Sequence, residues 1–316
     1  MSERLLMLGA FLVAVFAIPY ITTMLVSGRA ETETEAISIP GTDKRVCIYK
    51  DGEYQIIDAE EYIVYALAGC VDTEWPDEMY CVMAVITRTS VYYQMEQTAG
   101  DGDGNLIEEG SLEEERYTED ELAEMYADDY DEIMRRVSTA VADTSGQVIM
   151  YQGSPIMPVY HEISIGNTVS ASECYDVDLP YLQSVDSACD VEAPGFSDSE
   201  VYSGERLERL FADADMAYDY PDDIIEIVES TASGFVKWVN VCGHKVSGYR
   251  FAETLTLQSQ NFYIEENQDN TYTIISIGKG SSVGLSLYGA CYMAANGSTY
   301  LDILTTYYTD VTIDKE

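Results

Sequence analysis

Two hydrophobic rhythms alternate along this chain, and the switches between them predict its elements. From 46 to 57 apolar and polar positions alternate around Asp51-Gly52, the pattern of a β-hairpin. The period then lengthens. Ile63, Ala66, Leu67 and Cys70 recur at i, i+3, i+4 and i+7, which predicts a helix with Asp58 as N-cap and Glu61 completing a capping box. Cys70 falls in its last turn, on the core face. Pro76 suits the first turn of a second helix, whose buried stripe is Met79, Val82, Met83, Ile86 and Ser90. Cys70, Asp72 and Glu74 belong to the turn that joins the two. Thr118 with Glu121 forms another capping box, opening a helix to about Ala142 that Ser145-Gly146 closes.

After Gln147 the two-residue rhythm returns. Strands are predicted at 148–151 and 156–163 around Gln152-Gly153, at 235–241 before Cys242-Gly243, and at 262–264 and 272–277 around a 267–270 turn. Short helices are predicted at 205–213, 222–230, 285–295 and 300–307. Helices and antiparallel hairpins mix without a βαβ rhythm, so the fold class is α+β.

The N-terminus follows a different pattern. LLMLGAFLVAVFAIPYITTMLV, residues 5–26, is uncharged and, at about 1.5 Å per residue, long enough to span a bilayer. The expected division is a membrane anchor at 1–27, a linker at 28–45 and one domain at 46–316, with an acidic insertion at about 98–132. Cleavage after Ala30 is the alternative. Arg4 and Arg29 flank the run and give little orientation signal. The acidic body suits an N-terminus in the cytoplasm and a domain outside.

Charge narrows the partners. Asp plus Glu number 57 against 16 Lys plus Arg, a net charge of −41. Such a surface repels nucleic acid and anionic lipid. Seven cysteines leave at least one unpaired, and there is no CxxC. Cys242-Gly-His244 is the nearest approach to a ligand pair in a chain with two His, and no metal or cofactor is assigned. GDGDGN at 100–105 lacks the spacing and closing Glu of an EF-hand loop, so 98–132 reads as a solvated surface insertion. Gly278-Lys-Gly280 lacks the P-loop pattern.

Four blocks carry a resemblance. EYIVYALAGCVDTEWPDEMYCVMAVITRTS at 61–90 is similar to EYL…EAL…AVAARTY. AVADTSGQVIMYQGSPI at 140–156, followed by Tyr160-His161 and Gly166-Asn167-Thr168, is similar to a segment ending YHSSSGGRT. PYLQSVD at 180–186 is the third. The fourth, from Gly278 through Ser286, Tyr288 and Gly289 to Tyr307-Tyr308, is similar to GWGHGVGMSQYGA…IL..YY. In this order they resemble stage II sporulation protein D and its relatives, including the amidase enhancers, over nearly everything after residue 45.

The resemblance implies a membrane-anchored, extracytoplasmic protein of endospore formers that acts on peptidoglycan during engulfment. Its partners would be glycan strands and a cell-wall amidase or other wall machinery. The implied chemistry is lytic transglycosylation of peptide-stripped glycan. One glutamate protonates the glycosidic oxygen, then accepts the C6 hydroxyl proton as an anhydro sugar closes. Ordinary glycosidases need two carboxylates.

The chain departs from that pattern at chemical positions. Cys70 occupies the catalytic Glu position. Ser281 replaces the family His, Leu287 the Gln, Ile165 a Gly and Asn167 the Arg; Glu78 and Arg88 remain. Three readings stand. The chain is a glycan-binding or partner-recruiting descendant with a degenerate catalytic site; or an active transglycosylase whose acid is Glu74, displaced against Trp75; or a Cys70-dependent enzyme on stem peptides, with His161 or His244 as base. The catalytic candidates are Cys70, Glu74 and Arg88. The substrate-binding candidates are His161, Thr168, Ser281, Ser286 and Tyr288.

Overall fold

The computed structural model describes residues 37–50, 52–99, 104–175, 177–214, 225–269 and 271–315. The anchor expected at 1–27, the linker to residue 36, Asp51 of the first turn and residues 100–103 of GDGDGN lie outside them. No helix among the described residues is long and apolar enough to cross a membrane.

The first hairpin forms as its alternation predicts. β1 (Arg45–Lys50) and β2 (Glu53–Asp58) pair antiparallel, with Val46 opposite Ile57. Asp58 then caps α1 (Ala59–Ala68) by accepting from the Glu60 amide at 3.0 Å. The expected box through Glu61 is absent. Glu61 stays in solvent, while Glu60 turns inward and is buried. α2 (Asp77–Thr98) buries far more than one stripe: Met79, Tyr80, Val82–Thr89, Val91, Tyr92 and Met95 are all inside. It is the central helix of the main core, packed by α1 and by later elements on its other sides.

The acidic stretch is not a solvated insertion. β3 (Leu106–Glu108) joins β1 in parallel, setting Ile107 beside Val46. The expected helix to Ala142 is broken in two. α3 (Glu119–Tyr126), opened by the predicted Thr118/Glu121 box, ends at a turn where Ala127 has φ 46°, and α4 (Tyr130–Asp143) resumes beyond it. Leu122 is fully buried, and Leu112, Tyr117, Tyr126 and Tyr130 pack on the same core. A solvated run would have no use for this apolar series.

β4 (Gln147–Tyr151) pairs with β5 (Ser154–Pro155), and only Tyr160–His161 of the strand expected at 156–163 is regular, as β6. A short α5 (Ala171–Cys174) follows. β7 (Ser197–Ser203), α6 (Gly204–Asp213), β8 (Ile225–Ser230), β9 (Val236–Val241), β10 (His244–Ser247), α7 (Gly248–Thr254), β11 (Phe262–Glu266) and β12 (Thr271–Ile277) then surround a second core. Their two antiparallel sheets run β10-β9-β8 and β11-β12-β7, and Phe251 stacks on Phe262 at 5.2 Å between centroids. Where a helix was expected at 222–230, the described residues 225–230 form β8. Ile225 and Ile227 alternate and pair with Val241 and Val239, and this two-residue period overrides a weak helical one.

The chain returns to the main core through β13 (Leu285–Ser286), parallel to β6, then α8 (Leu287–Ala295), α9 (Tyr300–Tyr307) and β14 (Thr312–Lys315), which pairs antiparallel with β4. The architecture is α+β with mostly antiparallel sheets, as expected.

Candidate active site

A cleft with two lobes opens where α1 ends. One lobe, about 470 Å³, is lined by Cys70, Thr87, Glu114, Tyr117 and Tyr160 among others. The second, about 750 Å³, is lined by Trp75, Tyr126, Glu162, Tyr288 and again Cys70. Cys70 is thus the residue common to both.

Its position differs from the expected one. α1 stops at Ala68, and Cys70 lies in the turn beyond Gly69, exposed to the cleft rather than set on the core face. The turn is held from the acidic segment. Tyr126 donates its hydroxyl to the Ala68 and Val71 carbonyls, at 2.6 and 3.1 Å. Gly69 is required here because any Cβ would enter the ring of Tyr117. The Cys70 Sγ donates to the Leu67 carbonyl at 3.2 Å. Although the residue as a whole is exposed, its sulfur sits among protein atoms. Burial, with Glu114 nearby, pushes the thiol up to about 11. At neutral pH it is a protonated thiol, neither a proton donor matched to a sugar oxygen nor a nucleophile.

Glu74 is exposed in the same turn, its amide bonded to Asp72 Oδ1 at 2.9 Å, and it lines neither lobe. The burial against Trp75 that the displaced-acid reading needs is missing. Trp75 itself faces the second lobe and meets Tyr80 edge-on at 6.5 Å.

Arg88 is a structural residue rather than a catalytic one. It is fully buried and grips Glu60 bidentately, Nε to Oε1 at 2.6 Å and Nη2 to Oε2 at 2.7 Å. Its remaining donors reach Thr144 Oγ1 and the Val141 and Gln147 carbonyls at 3.2–3.3 Å. With all its donors used inside the core, it has no surface to offer a substrate. Glu78 serves the framework too: Oε2 accepts the Tyr300 amide at 2.6 Å and so ties α2 to the start of α9.

Three of the binding candidates also belong to the framework. Thr168 is buried; its hydroxyl donates to the Gln183 carbonyl and accepts from the Val185 amide at 2.8 Å. Ser286 is buried and caps α8 through the Gly289 amide. His161 is 4% exposed, with Nδ1 3.0 Å from the Val283 carbonyl and no partner for Nε2 among the described residues. Burial pulls it down to about 4, so its ring is neutral. Strand alternation sends its neighbours Tyr160 and Glu162 to the two lobes and turns His161 away from both. Ser281 lines a separate cavity of about 260 Å³ with Glu173, Lys237 and Tyr249. Of the candidate set, the cleft unites Cys70 and Tyr288.

Sequence reasoning missed Glu114, Tyr117 and Tyr126, because the charge of 98–132 concealed the spacing of Leu112, Tyr117, Leu122, Tyr126 and Tyr130. That series was the available signal. No cluster of His, Cys, Asp or Glu among the described residues is suited to a metal ion.

The scaffold is mixed α+β, with a helix pair beside an aromatic cleft, and comparisons of its sequence with known proteins found relatives. The family model described as "Stage II sporulation protein" matches residues 50–151. Stage II sporulation protein D of Bacillus amyloliquefaciens is 26% identical over 289 residues, covering 90% of this chain and 83% of that protein. Its counterpart in Bacillus subtilis (strain 168) is 25% identical over 300 residues, covering 93% and 84%. An uncharacterized protein of Brachyspira hyodysenteriae is 24% identical over 261 residues, covering 81% and 67%. The chain is thus similar to stage II sporulation protein D over most of its length at about a quarter identity, and a divergent relative of that family fits these matches.

Proposed function

We propose that this chain is a sporulation protein of the cell wall that holds a peptidoglycan glycan strand along its two-lobed cleft, outside the membrane and tethered by residues 5–26, with position 70 no longer the catalytic acid. The observation that carries the reading is the cleft itself. Its walls present Trp75, Tyr117, Tyr126, Tyr160 and Tyr288, flat faces suited to sugar rings, with carboxylates and hydroxyls between them. A wall amidase or related machinery is the partner this role calls for, because the acidic surface favours glycan stripped of its carboxylate-bearing stem peptides.

A Cys70-dependent enzyme fits less well. The thiol is pushed away from the thiolate, and neither His161 nor His244 lines either lobe. Co-sedimentation of the full chain with intact and amidase-treated sacculi tests the reading. Preferential binding to treated sacculi is expected. Equal binding to both, or none, would count against it.

A further inference from the structure

We propose that Glu114 is the general acid of this cleft, supplying from the acidic segment the carboxyl that position 70 lacks. The inference rests on the glycan reading above and extends it to catalysis. Glu114 and Cys70 line the same lobe, reaching it from separate parts of the chain. Cys70 comes from the turn after α1, and Glu114 from the loop that precedes α3.

The loop is built to present this residue. Tyr62 of α1 donates its hydroxyl to the Glu114 carbonyl at 2.5 Å. Gln94 of α2 donates Nε2 to Glu114 Oε2 at 2.7 Å, and its Oε1 accepts the Glu113 amide at 2.7 Å. One amide therefore fixes both the backbone and the carboxyl. Glu113 and Glu115 on either side are exposed, while Glu114 is turned in. Burial raises the Glu114 carboxyl above the usual carboxylate range, with Glu113 adding to the rise and hydrogen bonds from Ser90 and Gln94 opposing it. A carboxyl raised in this direction suits an acid for a glycosidic oxygen. Glu114 in turn raises both Cys70 and Tyr160, as a charge close to each must.

The step balances without a co-reactant. The Glu114 carboxyl gives its proton to the glycosidic oxygen, and the C1–O bond breaks with its electron pair leaving on that oxygen. The C6 hydroxyl of the same sugar attacks C1, forming the C1–O6 bond of the anhydro product. Its proton returns to the Glu114 carboxylate. No oxidation, metal or water is consumed.

The test is release of anhydro-sugar ends from amidase-treated sacculi by the full chain in detergent, measured beside sedimentation with the same sacculi. Wild type is expected to bind and to release. Glu114→Gln is expected to bind as wild type does and to lose about 10²-fold or more in release. Glu208→Gln, which removes an exposed carboxylate of α6 that lines neither lobe, is expected to bind and to release as wild type does. Binding without release by wild type overturns the catalytic inference and leaves the glycan reading intact. Release undiminished in Glu114→Gln, or lost equally in Glu208→Gln, overturns the assignment to Glu114. Absence of binding by wild type overturns the glycan reading itself. Sedimentation of Glu114→Gln also reports its folding, because an unfolded variant would not share the wild-type preference for stripped glycan.

Discussion

The two ends of one helix pair have had different fates. At the buried end, Arg88 on α2 holds Glu60 on α1 and spends its other donors on Val141, Thr144 and Gln147. At the open end, the turn after α1 carries Cys70, at the position where the resemblance in sequence implies a glutamate. The division recurs elsewhere in the chain, with exceptions. Arg88, Glu78, Thr168 and Ser286 keep the residue types that the framework needs, each tied to backbone or to a buried partner. Cys70, Leu287 and Ser281, which depart from the pattern, line cavities. Ile165 and Asn167 depart without lining one, Asn167 being tied to the Thr168 carbonyl, and Tyr288 lines the cleft unchanged. A framework residue is constrained by the folding free energy of the whole domain. A cavity residue is constrained by its ligand alone, and can change when another group takes over its task.

The comparison is broken most directly at the buried end. Arg88→Ala leaves Glu60 as an unpaired charge in the core and is expected to cost about 3–5 kcal/mol, read as a lower midpoint in urea. The double change Glu60→Leu with Arg88→Met should cost far less than either single truncation, because no charge is then stranded. If Arg88→Ala were stable but blind to glycan, Arg88 would belong to the cleft after all.

His161 gives the next effect, and a sign. Its folded value of about 4 lies below the unfolded 6.5. Between those values the unfolded chain binds more protons than the folded one, so stability falls as pH drops from 6.5 through 4. The loss attributable to this ring approaches about 3 kcal/mol below pH 4, at about 1.4 kcal/mol per pKa unit. Carboxylates also titrate in this window, so the measurement is the difference in acid unfolding between wild type and His161→Gln. The variant should show a shallower loss. Identical profiles would contradict the placement of a neutral His161 in the interior.

At the open end the expected effects are smaller. Tyr126→Phe removes the hydroxyl that holds the Cys70 turn and should cost about 1 kcal/mol in thermal or urea unfolding. Gly69→Ala sets a methyl against the Tyr117 ring; the strain is about 1–3 kcal/mol in such cases, and glycan binding should weaken along with stability. Cys70→Ala should leave stability within about 0.5 kcal/mol, as for an exposed site. Alkylation of Cys70 should accelerate as pH rises toward about 11 rather than near 8.5, a profile readable by mass spectrometry.

Much of the framework was legible because its signals are local. The hairpin at 46–57, the Thr118/Glu121 box, the 262–277 hairpin and the helix at 300–307 follow from period and capping alone. What failed depends on tertiary context. The Asp58 cap placed Glu60 rather than Glu61 toward the core, because its partner Arg88 lies 28 residues away. β8 was missed because its pairing with β9 decides it. In the site, Tyr288 and Cys70 were found, but Ser281, Thr168 and Ser286 were assigned to a cleft they do not line. A polar residue in a family motif carries no mark of whether it faces ligand or backbone. Glu114 was hidden for a related reason. Its loop is one of several acidic stretches, and only the contacts of Tyr62 and Gln94 distinguish it from its neighbours.

The central claim is that the aromatic cleft, and not the thiol at its junction, carries the function. Affinity for amidase-treated sacculi measured on Cys70→Ala and on the double variant Trp75→Ala with Tyr288→Ala tests it. Cys70→Ala should bind within about twofold of wild type, a difference near 0.4 kcal/mol, while the double aromatic variant should lose about tenfold or more, 1.4 kcal/mol. Loss of binding in Cys70→Ala, with the double variant unaffected, would contradict the account.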